Sequence, residues 1–239
     1  MDREPRVAQS RRERPAKPAL TRAGIVTAAV AVMDAEGLEK VTMRRLATEL
    51  DTGAASLYVY FRNAAELRAA VLDELLADVD LAPVTAAGDW RDRMQAVLDS
   101  YLAVLLRYPP LARSALLTRP SGPRYLDLVE ALLTLLRDGD VDDARAAWAV
   151  DLLLQFATAT GAEQATRREN PEDNSEWNAL VTAITNADRA QHPLVNALAR
   201  ELLSGPGQVR VSWGLSVLVN GILATPRPPV EPVRPTDNG

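Results

Sequence analysis

Thr42–Leu67, TMRRLATELDTGAASLYVYFRNAAEL, is written as two short helices joined by a tight turn, with a third helix starting at once. Thr42 carries the hydroxyl that an N-cap needs, and Leu46, Ala47 and Leu50 share one face of the helix it opens. Asp51-Thr52-Gly53 is the turn, and Ala54–Tyr60 is the second helix. Asn63 caps the third, whose apolar positions Leu67, Val71, Leu72 and Leu75 or Leu76 continue to about Val79. Helices this short do not hold themselves together in water, so they need a core shared with a neighbour. The preceding helix, from about Thr21 to Glu36, supplies it. Ile25, Ala28, Ala29, Val32 and Met33 recur at three- and four-residue spacing, and Gly37 ends the run. Leu46, Leu50, Leu57 and Phe61 are spaced to pack against that stripe.

Asp80-Leu81-Ala82-Pro83 breaks the pattern, and helical periodicity returns beyond it. The expected helices are Trp90–Arg107, a short one from Pro109-Pro110 through Leu117, Tyr125–Arg137, and a long one from Asp142 or Asp143 to about Arg168. After a loop at 169–175 come Glu176–Ala190, Pro193–Leu203 and Gln208–Ala224. No alternating strand pattern of useful length and no internal repeat appears. The chain is predicted all-α, with an N-terminal three-helix helix-turn-helix domain at 19–79 and a larger helical domain at 84–224. Residues 1–18 read as a flexible basic arm and 225–239 as a proline-rich disordered tail.

The composition closes several routes. At 47% hydrophobic residues the chain can bury a core, yet no run of roughly 18 apolar residues would span a membrane. No cysteine is present, which removes disulfides and thiolate metal sites and fits a cytoplasmic protein. The basic N-terminus has no apolar stretch behind it, so it is not a signal peptide. There is no glycine-rich phosphate loop, no H-E-x-x-H and no G-x-S-x-G, and the single histidine, His192, precedes Pro193 as a surface residue would. No catalytic residue, cofactor or metal is expected, and the chain is not read as an enzyme.

Charge is unevenly spread. Residues 1–65 hold 11 Lys+Arg against 8 Asp+Glu, a net of +3, while 66–239 hold 16 against 24, a net of −8. The positive end bears the helix-turn-helix pattern, as a DNA-binding head requires. A chance distribution of surface charge would look the same.

In such a pair one helix braces on the DNA backbone while the next lies in the major groove. Thr52, Ala54, Ala55, Ser56, Val59 and Tyr60 are left to point outward in varying degree. Ser56 can exchange hydrogen bonds with a base edge or a phosphate, and alanine methyls can meet thymine methyls. Thr42, Arg44, Tyr58 or Tyr60, Arg62 and the Asn63-capped helix start are the expected phosphate contacts. Arg11, Arg12, Arg14 and Lys17 could follow a phosphate backbone or simply be solvated. A Leu-Tyr-x-Tyr-Phe run at helical spacing also serves as plain core. A helical protein-interaction module that does not touch DNA is the alternative reading.

Taken together, the helix ended by Gly37, then Thr42-x-Arg44-x-Leu46-Ala47, then Leu57-Tyr58-x-Tyr60-Phe61 with a leucine six residues on, resembles the TetR (TetR/AcrR) family of bacterial transcriptional regulators. The resemblance covers Leu20–Asp78, about a quarter of the chain. It implies a ligand-responsive repressor, a homodimer on a palindromic operator of double-stranded DNA, released by a small-molecule effector bound in the second domain. The chain departs from the family pattern at Asp51, where glycine is usual, and at Ala64, where lysine is common.

The second domain offers two kinds of candidate. Tyr101, Tyr108, Tyr125, Trp148 and Phe156, with Gln155 and Thr158 as polar groups, would line a cavity for a hydrophobic or aromatic effector, or be ordinary core. Gln208–Ala224 is apolar on most sides and interleaved with small residues. With Asp142–Arg168, roughly 40 Å long as a helix, it would form an intermolecular four-helix bundle through Val211, Leu215, Leu218, Val219 and Ile222. The same pattern would suit a helix buried within one chain.

Overall fold

A computed structural model describes residues 19–116, 120–169 and 175–229. The expected basic arm at 1–18, the loop at 170–174, Leu117 and residues 230–239 of the tail lie outside them. Among the described residues every regular element is a helix, and none is long and apolar enough to cross a membrane. The chain forms two compact units that divide between Arg62 and Asn63.

The first unit holds α1 (Arg22–Glu36), α2 (Met43–Glu49) and α3 (Ala54–Tyr58). Thr21 Oγ1 caps α1 by accepting the Gly24 N–H at 3.0 Å, and Thr42 Oγ1 caps α2 by accepting the Arg45 N–H at 3.1 Å. Gly37 ends α1 at φ +94°, a conformation glycine takes freely, and donates its N–H to Met33. Ile25, Ala29, Leu46, Leu57 and Phe61 have no exposed surface and make the core that the short helices need. Arg45 ties Glu36 and Glu49 together across the surface, a contact of small energetic worth.

The turn between α2 and α3 closes as a Schellman motif. Thr52 N–H donates to Ala47 O at 2.8 Å and Asp51 N–H to Thr48 O at 3.1 Å, with Asp51 left-handed at φ +48°. Aspartate tolerates this conformation better than most residues, which is how the turn forms without glycine. Tyr60 N–H then bonds back to Leu57 O, a tighter closure that ends α3 at Tyr58 instead of the expected Tyr60.

The second unit begins with α4 (Ala64–Leu75), capped by Asn63 Oδ1 accepting the Glu66 N–H at 2.9 Å. It continues with α5 (Trp90–Arg107), α6 (Pro109–Ala115), α7 (Pro123–Asp138) and α8 (Asp143–Glu169). The sequence expectation kept α4 with the head to residue 79. Here α4 buries Leu67, Val71, Leu72 and Leu75 and packs on α6 and α7. Helices α5, α7 and α8 pack on one another around Leu98, Leu105, Leu132, Leu135 and Leu153.

Beyond α8 lie α9 (Ser175–Thr185), α10 (Pro193–Ala197), α11 (Ala199–Leu202) and α12 (Gly207–Ala224). Asp188 Oδ1 accepts the N–H groups of Ala190 and Gln191, a local turn that replaces the end of the helix expected to reach Ala190. Helices α9 to α11 bury no residue, and Trp177, Leu180, Leu194, Leu198 and Leu202 are all exposed.

A second Schellman closure ends α7, and it divides the roles of Gly139 and Asp140. Val141 N–H bonds to Leu136 O and Asp140 N–H to Arg137 O, so the left-handed residue is Asp140 at φ +56°. Gly139 is needed for space, since a Cβ there would stand 2.3 Å from the Trp90 indole. Gly139→Ala is expected to destabilise the protein by about 1–3 kcal/mol through this overlap. Urea unfolding measures it, and an unchanged midpoint would contradict the assigned contact.

Candidate nucleic-acid interface and effector cavity

The Schellman turn sets α3 so that Leu57 faces the core and the rest of the helix faces out. Ala55, Ser56 and Tyr58 are exposed, while Thr52 and Ala54 are half-buried. Val59, which directly follows α3, is 82% exposed, more than any other large apolar residue among the described residues of this unit. It stands beside the exposed Ala55, Ser56 and Tyr58, which makes it a further candidate for the same outward surface. The sequence places Val59 outward but does not single it out as a contact.

Tyr60 does not stand with the outward groups. Its hydroxyl donates to Leu20 O at 2.6 Å, and its carbonyl accepts from Arg22 Nη1 at 2.7 Å. The Arg22 guanidinium also lies 4.2 Å over the Phe61 ring. Tyr60 therefore clasps the end of α3 to the entry of α1, which leaves Tyr58 as the tyrosine free to face outward.

Arg44 and Arg45 are adjacent yet distinct. Arg45 donates to Glu36 and Glu49, and these hydrogen bonds raise its pKa above the usual arginine range, while the bond from Arg45 lowers that of Glu36. Arg44 is exposed and forms no ion pair among the described residues. Thr42 uses an oxygen lone pair for its cap, so its O–H can still donate outward. Arg62 is exposed, and Asn63, the first residue of the second unit, is engaged in capping α4.

Within the second unit a cavity of about 210 Å³ is lined by Tyr101, Ala115, Leu116, Pro120, Tyr125, Asp151, Leu154, Gln155, Thr158 and Ala159. Tyr101 and Thr158 share a hydrogen bond of 2.7 Å between their hydroxyls. Burial pushes the Tyr101 phenol up to about 12, against the smaller lowering by Thr158, so it stays neutral in water near pH 7. The wall thus combines apolar surface and two tyrosine rings with hydroxyl and amide groups that both donate and accept and the carboxylate of Asp151.

Of the aromatics expected there, Tyr101 and Tyr125 line the cavity, together with Gln155. Three expected residues do not. Phe156 packs on Gly214 of α12, and Trp148 is 48% exposed with Arg227 over its ring. Tyr108 caps the bend between α5 and α6 beside Arg107. Helical geometry explains the division, because Asp151, Leu154, Gln155 and Thr158 share one face of α8 while Trp148, Leu152 and Phe156 share another.

The expected interface residues of α12 also turn inward. Val211, Leu215, Val219 and Ile222 are buried, and α12 packs on α5 and α8 of its own chain. Leu218 is half-buried. The outward stripe is Val209, Trp213 and Val217, with Trp213 71% exposed. His192 is exposed at the start of α10, and among the described residues no group of three or more metal-binding side chains converges.

Comparison with known proteins adds to this geometry. Residues 25–71 match the model for bacterial regulatory proteins of the tetR family. Residues 82–225 match that for the tetracyclin repressor-like C-terminal domain. The HTH-type transcriptional repressor DrrR1 of Streptomyces coeruleorubidus is 30% identical over 86% of this chain and 78% of its own. The Streptomyces coelicolor protein SCO7704 is 55% identical, with a TM-score of 0.77 over 90% of this chain and all (100%) of its own. ActR of Streptomyces coelicolor, solved in complex with actinorhodin, is 34% identical with a TM-score of 0.75, covering 86% of this chain and 98% of its own.

Proposed function

The chain belongs to the TetR family of bacterial regulatory proteins, and from that premise we propose a homodimeric repressor on a palindromic operator, released by an aromatic or hydrophobic effector. As a member it is a DNA-binding regulator of transcription. The observation that carries the reading is the outward surface of the head, where Ala55, Ser56, Tyr58 and Val59 are presented together with Arg44, exposed and in no ion pair among the described residues. The small residues let a backbone come close to base edges, and Ser56 and Val59 supply a polar and an apolar contact there. Arg44, Arg62 and the hydroxyls of Thr42 and Tyr58 are the phosphate contacts in this reading. With few polar readers, affinity leans on phosphates and on DNA shape. Such a protein works on the chromosome, in the cytoplasm.

One head covers one half-site, and useful affinity comes from two heads held by a two-fold dimer. The partner in this reading is a second copy, seated on the exposed apolar face of α8 and α12 formed by Trp148, Leu152, Val209, Trp213 and Val217. The cavity supports the effector part of the reading. Tyr101, Tyr125, Gln155 and Thr158, with Asp151 beside them, suit a ring system bearing oxygen substituents that donate as well as accept, and ActR, of the same fold, holds actinorhodin. The effector acts by differential affinity for two conformations of the dimer.

The test is a salt titration of operator binding. Arg44→Ala is expected to weaken binding to every sequence and to make the slope of log K against log salt shallower by about 1 for each head. Wild-type salt dependence in this variant would remove Arg44 from the interface.

A further inference from the structure

Asp73 of α4 is a carboxylate only 8% exposed. Its Oδ1 accepts the backbone N–H of Tyr125 at 2.9 Å. Tyr125 is the third residue of α7, the place where an N-cap side chain normally finds its partner. The N-cap residue of α7 is Gly122, which has the extended backbone of a good cap, φ −87° and ψ 178°, but no side chain to cap with. A Cβ on Gly122 would fall 2.0 Å from Asp73 Oδ2, so the carboxylate of α4 occupies the space that a local cap would fill. The first turn of α7 is thus capped by a different helix.

The two helices joined in this way have different neighbours. The Tyr125 side chain lines the cavity. Helix α4 follows the head in the chain with no linker, since Asn63 is already its cap. We propose that Asp73 is the positioning residue that couples the cavity to α4: an effector that displaces Tyr125 moves the first turn of α7, and the Asp73 bond carries that shift into the helix that leads to the head. The proposal rests on reading the cavity as the effector site. A cap supplied locally would hold α7 equally well but would leave α4 uninformed.

That difference gives the test. In Asp73→Ala/Gly122→Asp the carboxylate is moved from α4 to the N-cap of α7 itself. The helix keeps its cap and loses its link. Operator DNA is selected from random duplexes, and actinorhodin is the probe. In the wild type the probe lowers DNA affinity by a factor in the usual range of roughly 5–150 for coupled sites. The double variant is expected to keep the wild-type melting temperature and its calorimetric affinity for the probe, while that factor falls to about one. An unchanged factor in the double variant overturns the proposal.

If actinorhodin does not bind the wild type, the effector reading fails for that compound, and the coupling is tested without it. Ala159→Trp places an indole on the exposed side of the cavity lining, beside Tyr125 and Gln155, as a stand-in for a ligand. It is expected to lower DNA affinity in the wild-type background and not in the double variant. Equal effects in the two backgrounds, none included, overturn the proposal.

Discussion

Phe61→Ala unfolds the first unit and abolishes operator binding while the second unit stays folded. Phe61 has no exposed surface, and its ring also receives the Arg22 guanidinium at 4.2 Å. Truncating a buried phenylalanine costs about 3–5 kcal/mol, a large share of the stability of any small domain. Among the described residues the unit is three helices around a small core, in which Ile25, Ala29, Leu46, Leu57 and Phe61 have no exposed surface, and it has little to relax into the void. Loss of Phe61 also removes the ring over which the Arg22 guanidinium lies while it bonds the Tyr60 carbonyl. Thermal unfolding followed by circular dichroism is expected to show an early transition for the first unit and an unshifted one for the second. Wild-type DNA affinity in this variant would mean that the buried core does not position the reading surface.

Trp213→Glu is expected to yield a monomer. Trp213 is 71% exposed in the single chain, in line with Val209 and Val217 along α12. Such a stripe is out of place on a monomer and suits the centre of a self-complementary interface. Aromatic anchors of this kind contribute about 2–4 kcal/mol, and a two-fold interface uses each of them twice. The charge adds repulsion between copies. Sedimentation of the variant is expected to report a single chain, with operator affinity falling to that of one head. A dimer that persists unchanged would place the interface elsewhere, with the exposed apolar residues of α9 to α11 the next surface to examine.

The head could be read from the sequence because its determinants are local. Thr42, Gly37 and Asn63 act on backbone groups within three or four residues of themselves, and the Leu46, Leu57 and Phe61 spacing has one solution once α1 is in place. Even the departure at Asp51 was interpretable, since the left-handed turn needs a residue type that tolerates it. The body was harder for a physical reason. Helix α12 is apolar nearly all round, so periodicity shows that it is buried but not which side meets its own chain. Val211, Leu215, Val219 and Ile222 took the inside, and Trp213 the outside. In α8 the expected Gln155 and Thr158 do face the cavity, but Asp151 and Leu154 stand there with them in place of Trp148 and Phe156, at a spacing of three, one and three residues that the sequence displays. Asp73 left no local sign at all, because its partner lies 52 residues away in the chain.

In the proposed function the surface around Arg44, Ser56, Tyr58 and Val59 reads double-stranded DNA as one half of a two-fold pair. Selection of the purified full-length protein on a library of random DNA duplexes tests it most directly. Enrichment of an inverted repeat, with half-sites about 34–36 Å apart or a multiple of that, is the predicted result. Arg44→Ala and Trp213→Glu should each weaken binding to the selected site. Recovery of no sequence above background, with binding that does not respond to salt, would contradict it.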